Sequence, residues 1–114
     1  MKVIIAGSRT ITDINHIWSA MSCLFTDNFT EIVSGMAIGV DTLGEQWAEE
    51  NGIAIKHFPA DWKNNGKAAG AIRNIQMANY ADILVAIWDG KSRGTKHMID
   101  EMLKRKKIVF VYPV

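Results

Sequence analysis

Three short stretches of this 114-residue chain combine glycine, a hydroxyl and charge, and each follows an apolar run. The first is Gly7-Ser8-Arg9-Thr10. The second, SGMAIGVDT, runs from Ser34 through Gly35, Gly39 and Asp41 to Thr42. The third, WDGKSRGTKHMID, runs from Trp88 to Asp100 and holds Asp89, Gly90, Ser92, Gly94 and Thr95. Glycine lets a backbone turn tightly and come close to a ligand. Hydroxyls and free amides at helix starts donate to phosphate oxygens, and an arginine such as Arg9 can pair with them in bidentate fashion. Any one of these loops is explained by ordinary turn and cap chemistry. The repetition of the same chemistry in three loops points instead to an anion nest at a shared rim.

Other residues extend that site. Arg73, flanked by Asn74 and Gln76 among small and apolar neighbours, reads as a phosphate clamp or as half of an ion pair. Asp41, at a helix start, serves the helix dipole or a ribose hydroxyl. Asp89 reads as a turn former, a ribose acceptor or a general acid or base, which makes Arg73 and Asp89 the candidate catalytic groups. Trp62 offers an indole to stack on a base and Lys63 a charge for a phosphate, or both belong to a subunit contact. His97 reads as a solvated side chain or a proton shuttle. The pattern excludes other sites: no G-x-G-x-x-G fingerprint or Walker lysine occurs. Cys23, His16, His57 and His97 are too scattered to form a metal set. No cofactor is implied.

The elements that must position these residues follow from the hydrophobic pattern. KVIIA (2–6), EIVS (31–34), IAIKHF (53–58), DILVAIW (82–88) and KIVFVY (107–112) are short runs rich in β-branched and aromatic residues. Such runs are expected of parallel strands buried on both faces. Between them, helical stripes run through Ile14, Ile17, Trp18, Met21, Leu24 and Phe25, capped by Thr12 or Asp13, and through Val40, Leu43, Trp47 and Ala48. Further helices are expected over 69–80, with Ile72, Ile75 and Met77 inward, and from Thr95 to Lys106, with Met98, Ile99, Met102 and Leu103 inward. Trp18 and Trp47 belong to core or interface. The polar connection PADWKNNGKA, 59–68, reads as a binding loop or lid. Alternation of this kind predicts a single α/β domain over 1–114, a Rossmann-like open parallel sheet of about five strands with helices on both faces.

Composition sets the bounds. The chain is 48% hydrophobic and 22% charged with two prolines, as expected of a packed globule. Its net charge of +1 argues against a broad cationic face for nucleic acid. The basic run from Lys104 to Lys107 reads as the complement of a helix C-terminus. A single cysteine and the lack of a membrane-length apolar segment or signal peptide predict a soluble, cytoplasmic protein. Four tryptophans and six methionines in so short a chain predict a homodimer or tetramer.

The strings IAGSRTITD, VSGMAIGVDTLGEQWAEENGI and FPADWKNNGKAAGAIRNIQMANYADILVAIWDGKSRGT resemble the SLOG superfamily, in particular its small YspA/cpYpsA-related proteins, which are often met in phages and bacteria. The resemblance implies a Rossmann-like fold and a nucleotide or nucleotide-derived ligand, held by its phosphate for sensing, sequestration or processing. The LOG branch, phosphoribohydrolases that release a base from a nucleoside monophosphate, carries an arginine ahead of P-G-G-x-G-T-x-x-E. Arg73, Gly94 and Thr95 fall at matching places. Trp88-Asp89-Gly90 stands where Pro-Gly-Gly is expected, and Met98 stands at the glutamate, so Asp41, Asp89 or Asp100 would have to substitute. DprA proteins use a related fold on single-stranded DNA, which makes a nucleic-acid or protein-interaction module the remaining alternative.

Overall fold

The computed structural model describes residues 1–114. Strands β1 (Lys2–Gly7), β2 (Glu31–Ser34), β3 (Ala54–His57), β4 (Ile83–Trp88) and β5 (Ile108–Pro113) form one parallel sheet in the order β3-β2-β1-β4-β5. Helices α1 (Asn15–Met21), α2 (Val40–Glu50), α3 (Trp62–Asn65), α4 (Ala69–Tyr80) and α5 (Arg93–Lys104) connect them. The predicted Rossmann-like sheet of five strands in a single domain is what forms.

The near-continuous apolar runs bury both faces of the two central strands. Val3 and Ile5 of β1 with Ile83, Val85 and Ile87 of β4 face Ile17, Val40 and Trp47 on α1 and α2. Ile4, Leu84 and Ala86 alternate to the other face and meet Met77, Met98 and Met102 on α4 and α5. Each fully buried Ile or Leu contributes roughly 1.5–3 kcal/mol, so this two-sided packing fixes the register of β1 against β4.

Several local expectations are corrected. Helix α1 stops at Met21, so Phe25 lies beyond it and is 89% exposed. Ile14 occupies its N-cap without a side-chain bond, while Asp13 Oδ1 accepts from the Asn15 amide at 2.9 Å. Trp18 lies outside the core, exposed, with its ring edge-on to buried Trp47. The 59–68 connection is not an open loop. It winds into α3, capped by Asp61 through the Asn64 amide, and a single 3-10 turn, Gly66–Ala68. Leu103 points to solvent because the buried stripe of α5 is Thr95, Met98, Ile99 and Met102, one position away.

The basic run serves the end of α5 as expected, with Lys104 in its last turn and Arg105 Nη1 donating to the Glu101 carbonyl at 2.9 Å, and it also does more. Lys107 reaches the end of α4 rather than α5, donating to the carbonyls of Ala78 at 2.7 Å, Asn79 at 3.2 Å and Ala81 at 2.6 Å. Arg105 spans both helices, binding Glu101 on α5 and Asn79 on α4. The run therefore ties the start of β5 to the last turn of α4. Lys107→Met, which keeps the stem and deletes the donor, is expected to lower stability by about 1–2 kcal/mol, read as a shift in the urea midpoint.

Candidate functional site

Strand β1 leads to helices on one face of the sheet and its neighbour β4 leads to α5 on the other. A crevice opens at such a switch point, beyond the carboxyl ends of the strands. Here it is a hollow of about 430 Å³. Its walls come from the loop after β1, the approach to α2, the middle of α4 and the loop after β4.

The first wall brings Gly7, Ser8, Arg9 and Thr10. Ser8 is 2% exposed and its hydroxyl has no hydrogen-bond partner. An orphaned buried hydroxyl costs about 1–3 kcal/mol, and Ser8 belongs to the wall of the hollow. The last wall brings Asp89, Lys91, Ser92, Gly94 and Thr95. Asp89 Oδ1 accepts the Lys91 amide at 2.8 Å and the Ser92 amide at 2.9 Å, and these bonds hold its carboxyl below the usual range. The Ser8 hydroxyl nearby adds slightly to that effect without the geometry of a hydrogen bond. The Ser92 hydroxyl caps α5, accepting from the amide and hydroxyl of Thr95 at 3.4 and 3.0 Å. The first-turn amides of Arg93 and Gly94 donate to nothing else in the protein. The Trp88 indole pins this turn by donating to the Ser92 carbonyl at 3.1 Å.

Arg73 reaches across from α4. Its Nη1 donates to the Gly35 carbonyl at 2.5 Å and its Nε to Asn74 Oδ1 at 3.1 Å. Gly35 has to be glycine for this. A Cβ there would lie 2.8 Å from Arg73 Nη1 and 2.9 Å from Asp41 Oδ2. Asn74 is buried, and its amide nitrogen faces the Gly94 carbonyl at 3.3 Å and His97 Nδ1 at 3.1 Å. That contact makes His97 Nδ1 the acceptor and leaves its proton on Nε2, 3.4 Å from Glu101. His97 lies behind the hollow and orients Asn74, which in turn orients Arg73.

Asp41, in the first turn of α2, is buried with Oδ2 accepting the Ala37 amide at 3.2 Å. Burial pushes its carboxyl up from 3.8 to about 6. Neighbouring Glu45 adds to the rise, while the Ala37 amide, Arg73 and Arg9 oppose it. Arg73 feels the reverse: burial lowers its pKa, Asp41 raises it, and Arg9 lowers it.

Other residues singled out in the sequence fall elsewhere. Gly35 and Trp62 line a smaller adjoining hollow of about 190 Å³ that shares Arg9, Ala37 and Arg73 with the first. Ser34 lines neither, since its hydroxyl donates to Glu45 at 2.7 Å and accepts the Met36 amide. Gly39 packs its backbone against that of Arg9, and Gly90 forms an open turn at φ +79°. Lys63 borders neither hollow. Lys91 and Ala37 were passed over, although Lys91 lies inside the third glycine-containing stretch. Met98, at the place of the LOG glutamate, lines the larger hollow as a buried thioether.

Parallel strands, glycine-bearing loops at their carboxyl ends and a switch-point crevice define a Rossmann-like class of fold. Within that class, residues 1–65 match the sequence profile of the YspA, cpYpsA-related SLOG family, and the chain belongs to that family. It is similar to the Gene 61 protein of Mycobacterium phage D29, at 34% identity over 111 residues, covering 90% of this chain and 89% of that protein. Its fold is similar to that of DNA processing protein A (DprA) from Streptococcus pneumoniae, with a TM-score of 0.80 over 99% of this chain at 20% identity. The chain spans 50% of that DprA chain. The profile match takes in the first two glycine-bearing loops. Arg73 and the loop after β4 lie beyond it. No helix is long and apolar enough to cross a membrane.

Proposed function

We propose that this protein binds a nucleotide or nucleotide-derived metabolite through its phosphate in the switch-point hollow. The observation that carries the reading is the combination of three cationic side chains, Arg9, Arg73 and Lys91, with the unpartnered Ser8 hydroxyl around one cavity. Arg9 and Arg73 repel each other across it, a repulsion that an anion between them relieves. The free amides at the start of α5 add donors, and the helix dipole favours negative charge there. Ser92 and Thr95 shape the turn, and Asp41 or Asp89 meets a ribose hydroxyl.

The test is calorimetric titration of the protein with nucleoside monophosphates, ADP-ribose and NAD. Arg73→Gln removes a charge-assisted donor and is expected to weaken binding by about 1.5–3 kcal/mol, roughly 10- to 150-fold. Gly35→Ala, which displaces the guanidinium, is expected to act in the same direction with the fold intact. Unchanged affinity in both variants would remove the phosphate clamp from the reading.

A second reading, hydrolysis of the N-glycosidic bond of such a ligand, is favoured by one observation. The hollow holds two carboxyls driven apart, Asp41 upward and Asp89 downward, the arrangement that separates a general acid from an ionised partner. Release of free base, abolished by Asp41→Asn, distinguishes this reading from binding alone. Self-association, expected from composition, has exposed apolar side chains such as Phe25, Leu103 and Ile108 to draw on, and light scattering after gel filtration reads it out.

A further inference from the structure

The smaller hollow has a different chemistry from the larger one, and the phosphate reading does not use it. Its outer wall is apolar: Met36, Pro59, Ala60 and Trp62. Its inner wall is the pair of guanidiniums, Arg9 and Arg73, that it shares with the larger hollow. A ligand filling both would be amphipathic, anionic at one end and flat and apolar at the other.

The apolar wall is built to stay open. Trp62 is 55% exposed and Met36 is 52% exposed, so neither is in the core. Trp62 is nevertheless held in place. Asp61 caps its short helix with both carboxylate oxygens, one on the Asn64 amide and one on the Asn64 side chain at 2.8 Å. The indole edge lies against Gly70, where a Cβ would be 3.6 Å from Cη2, an ordinary contact distance. Across the hollow, Met36 takes a left-handed backbone at φ 62°, a conformation that L side chains rarely adopt and that costs free energy. The strained turn is secured by the bond from the Met36 amide to the Ser34 hydroxyl at 3.1 Å. Strain kept at a concave site beside two arginines has a natural use in shaping that site.

We infer that the slot between Trp62 and Met36 is a nucleobase platform, with the base stacked on the indole and the phosphate across Arg73 in the larger hollow. This rests on the phosphate reading and specifies the other end of the ligand. An indole presents a large polarisable face to any base, and the thioether packs well against aromatic rings. No carboxylate borders the slot, so edge recognition is left to backbone groups and the platform is tolerant of base identity. The class of ligand that fits is a nucleoside phosphate, rather than a sugar phosphate or inorganic anion.

Calorimetry with the full chain separates the two ends. The four ribonucleoside monophosphates carry base and phosphate, and ribose 5-phosphate carries the phosphate alone. The wild type is expected to favour the monophosphates by about tenfold or more, purines most, since base stacking on an aromatic side chain gives a gain of that order. Trp62→Ala is expected to erase that preference while leaving ribose 5-phosphate affinity unchanged, and Trp62→Phe to retain most of it. A preference that survives Trp62→Ala overturns the platform and leaves the phosphate site standing. Failure of the wild type to bind either kind of ligand overturns both.

Discussion

Asp41→Asn is expected to make the protein more stable at neutral pH while damaging its site. The carboxyl is buried and its pKa stands at about 6 in the fold against 3.8 ordinarily. Below pH 3.8 the group is protonated in folded and unfolded chains alike, so it contributes no pH dependence. Between 3.8 and 6 the unfolded chain ionises first, and the folded chain holds the extra proton. Above 6 the fold carries a carboxylate that it disfavours, and the whole difference, roughly 3 kcal/mol, counts against stability. The attraction of Arg73 and the Ala37 amide is already included in that figure. Asparagine keeps an oxygen for the Ala37 amide and never ionises. Its melting temperature should therefore rise by on the order of 10 °C at pH 7.5 and hardly at all at pH 4. Scanning calorimetry at the two pH values checks the sign. If Asp41 meets a ribose hydroxyl, the same variant binds nucleotide more weakly while its affinity for inorganic phosphate does not fall.

Gly7→Ala is expected to fail in the opposite way, by loss of the fold itself. A Cβ at Gly7 would lie 2.1 Å from the Ile87 carbonyl oxygen and 2.9 Å from Val40 Cγ2. The first of these is backbone, and it cannot yield. Gly7 is in register with Ile87 in the central β1–β4 pair, and the Ser8 amide bonds that same carbonyl at 3.3 Å. Relief requires prising apart the two most buried strands, at a cost of about 3–5 kcal/mol. A domain of this size has roughly 5–15 kcal/mol in all, so the urea midpoint should fall by a large fraction or the variant should be recovered insoluble. Gly94→Ala is the contrast, because a Cβ there meets nothing within 4 Å. Its stability in the absence of ligand should be unchanged or slightly raised.

The strands were legible because β1 and β4 are buried on both faces and their sequences are almost unbroken apolar runs. The helices were less so, and α4 shows why. Its inward stripe is Ala69, Arg73, Asn74, Met77 and Ala78, with the polar pair Arg73 and Asn74 in its middle bordering the hollow. Hydrophobic periodicity cannot see a stripe whose middle is arginine and asparagine. It found Met77, which is buried, together with Ile72 and Ile75, which are 36% and 37% exposed. Helix rules failed there because the site occupies core positions. In the loops, residue type identified which side chains bear chemistry but not where they point. Ser8 and Ser34 look equivalent in sequence, yet one hydroxyl is orphaned at the hollow and the other is consumed by Glu45. The role of His97 behind Asn74 had no sequence signal, since it depends on the packing of α4 on α5.

The strand order has a consequence during synthesis. β1 is made first but lies in the middle of the sheet, and its second neighbour, β4, begins only at Ile83. While the nascent chain leaves the ribosome, β1 can zip to β2, and β2 to β3, with the other edge of β1 open and Ile4, Ala6 and Val33 uncovered on the side that α4 and α5 later close. A chain that pairs its strands in this order would present an unpaired apolar ribbon to its neighbours until β4 arrives. Rapid elongation through the second half of the message, or a holdase that shields that ribbon, would keep such intermediates from clumping.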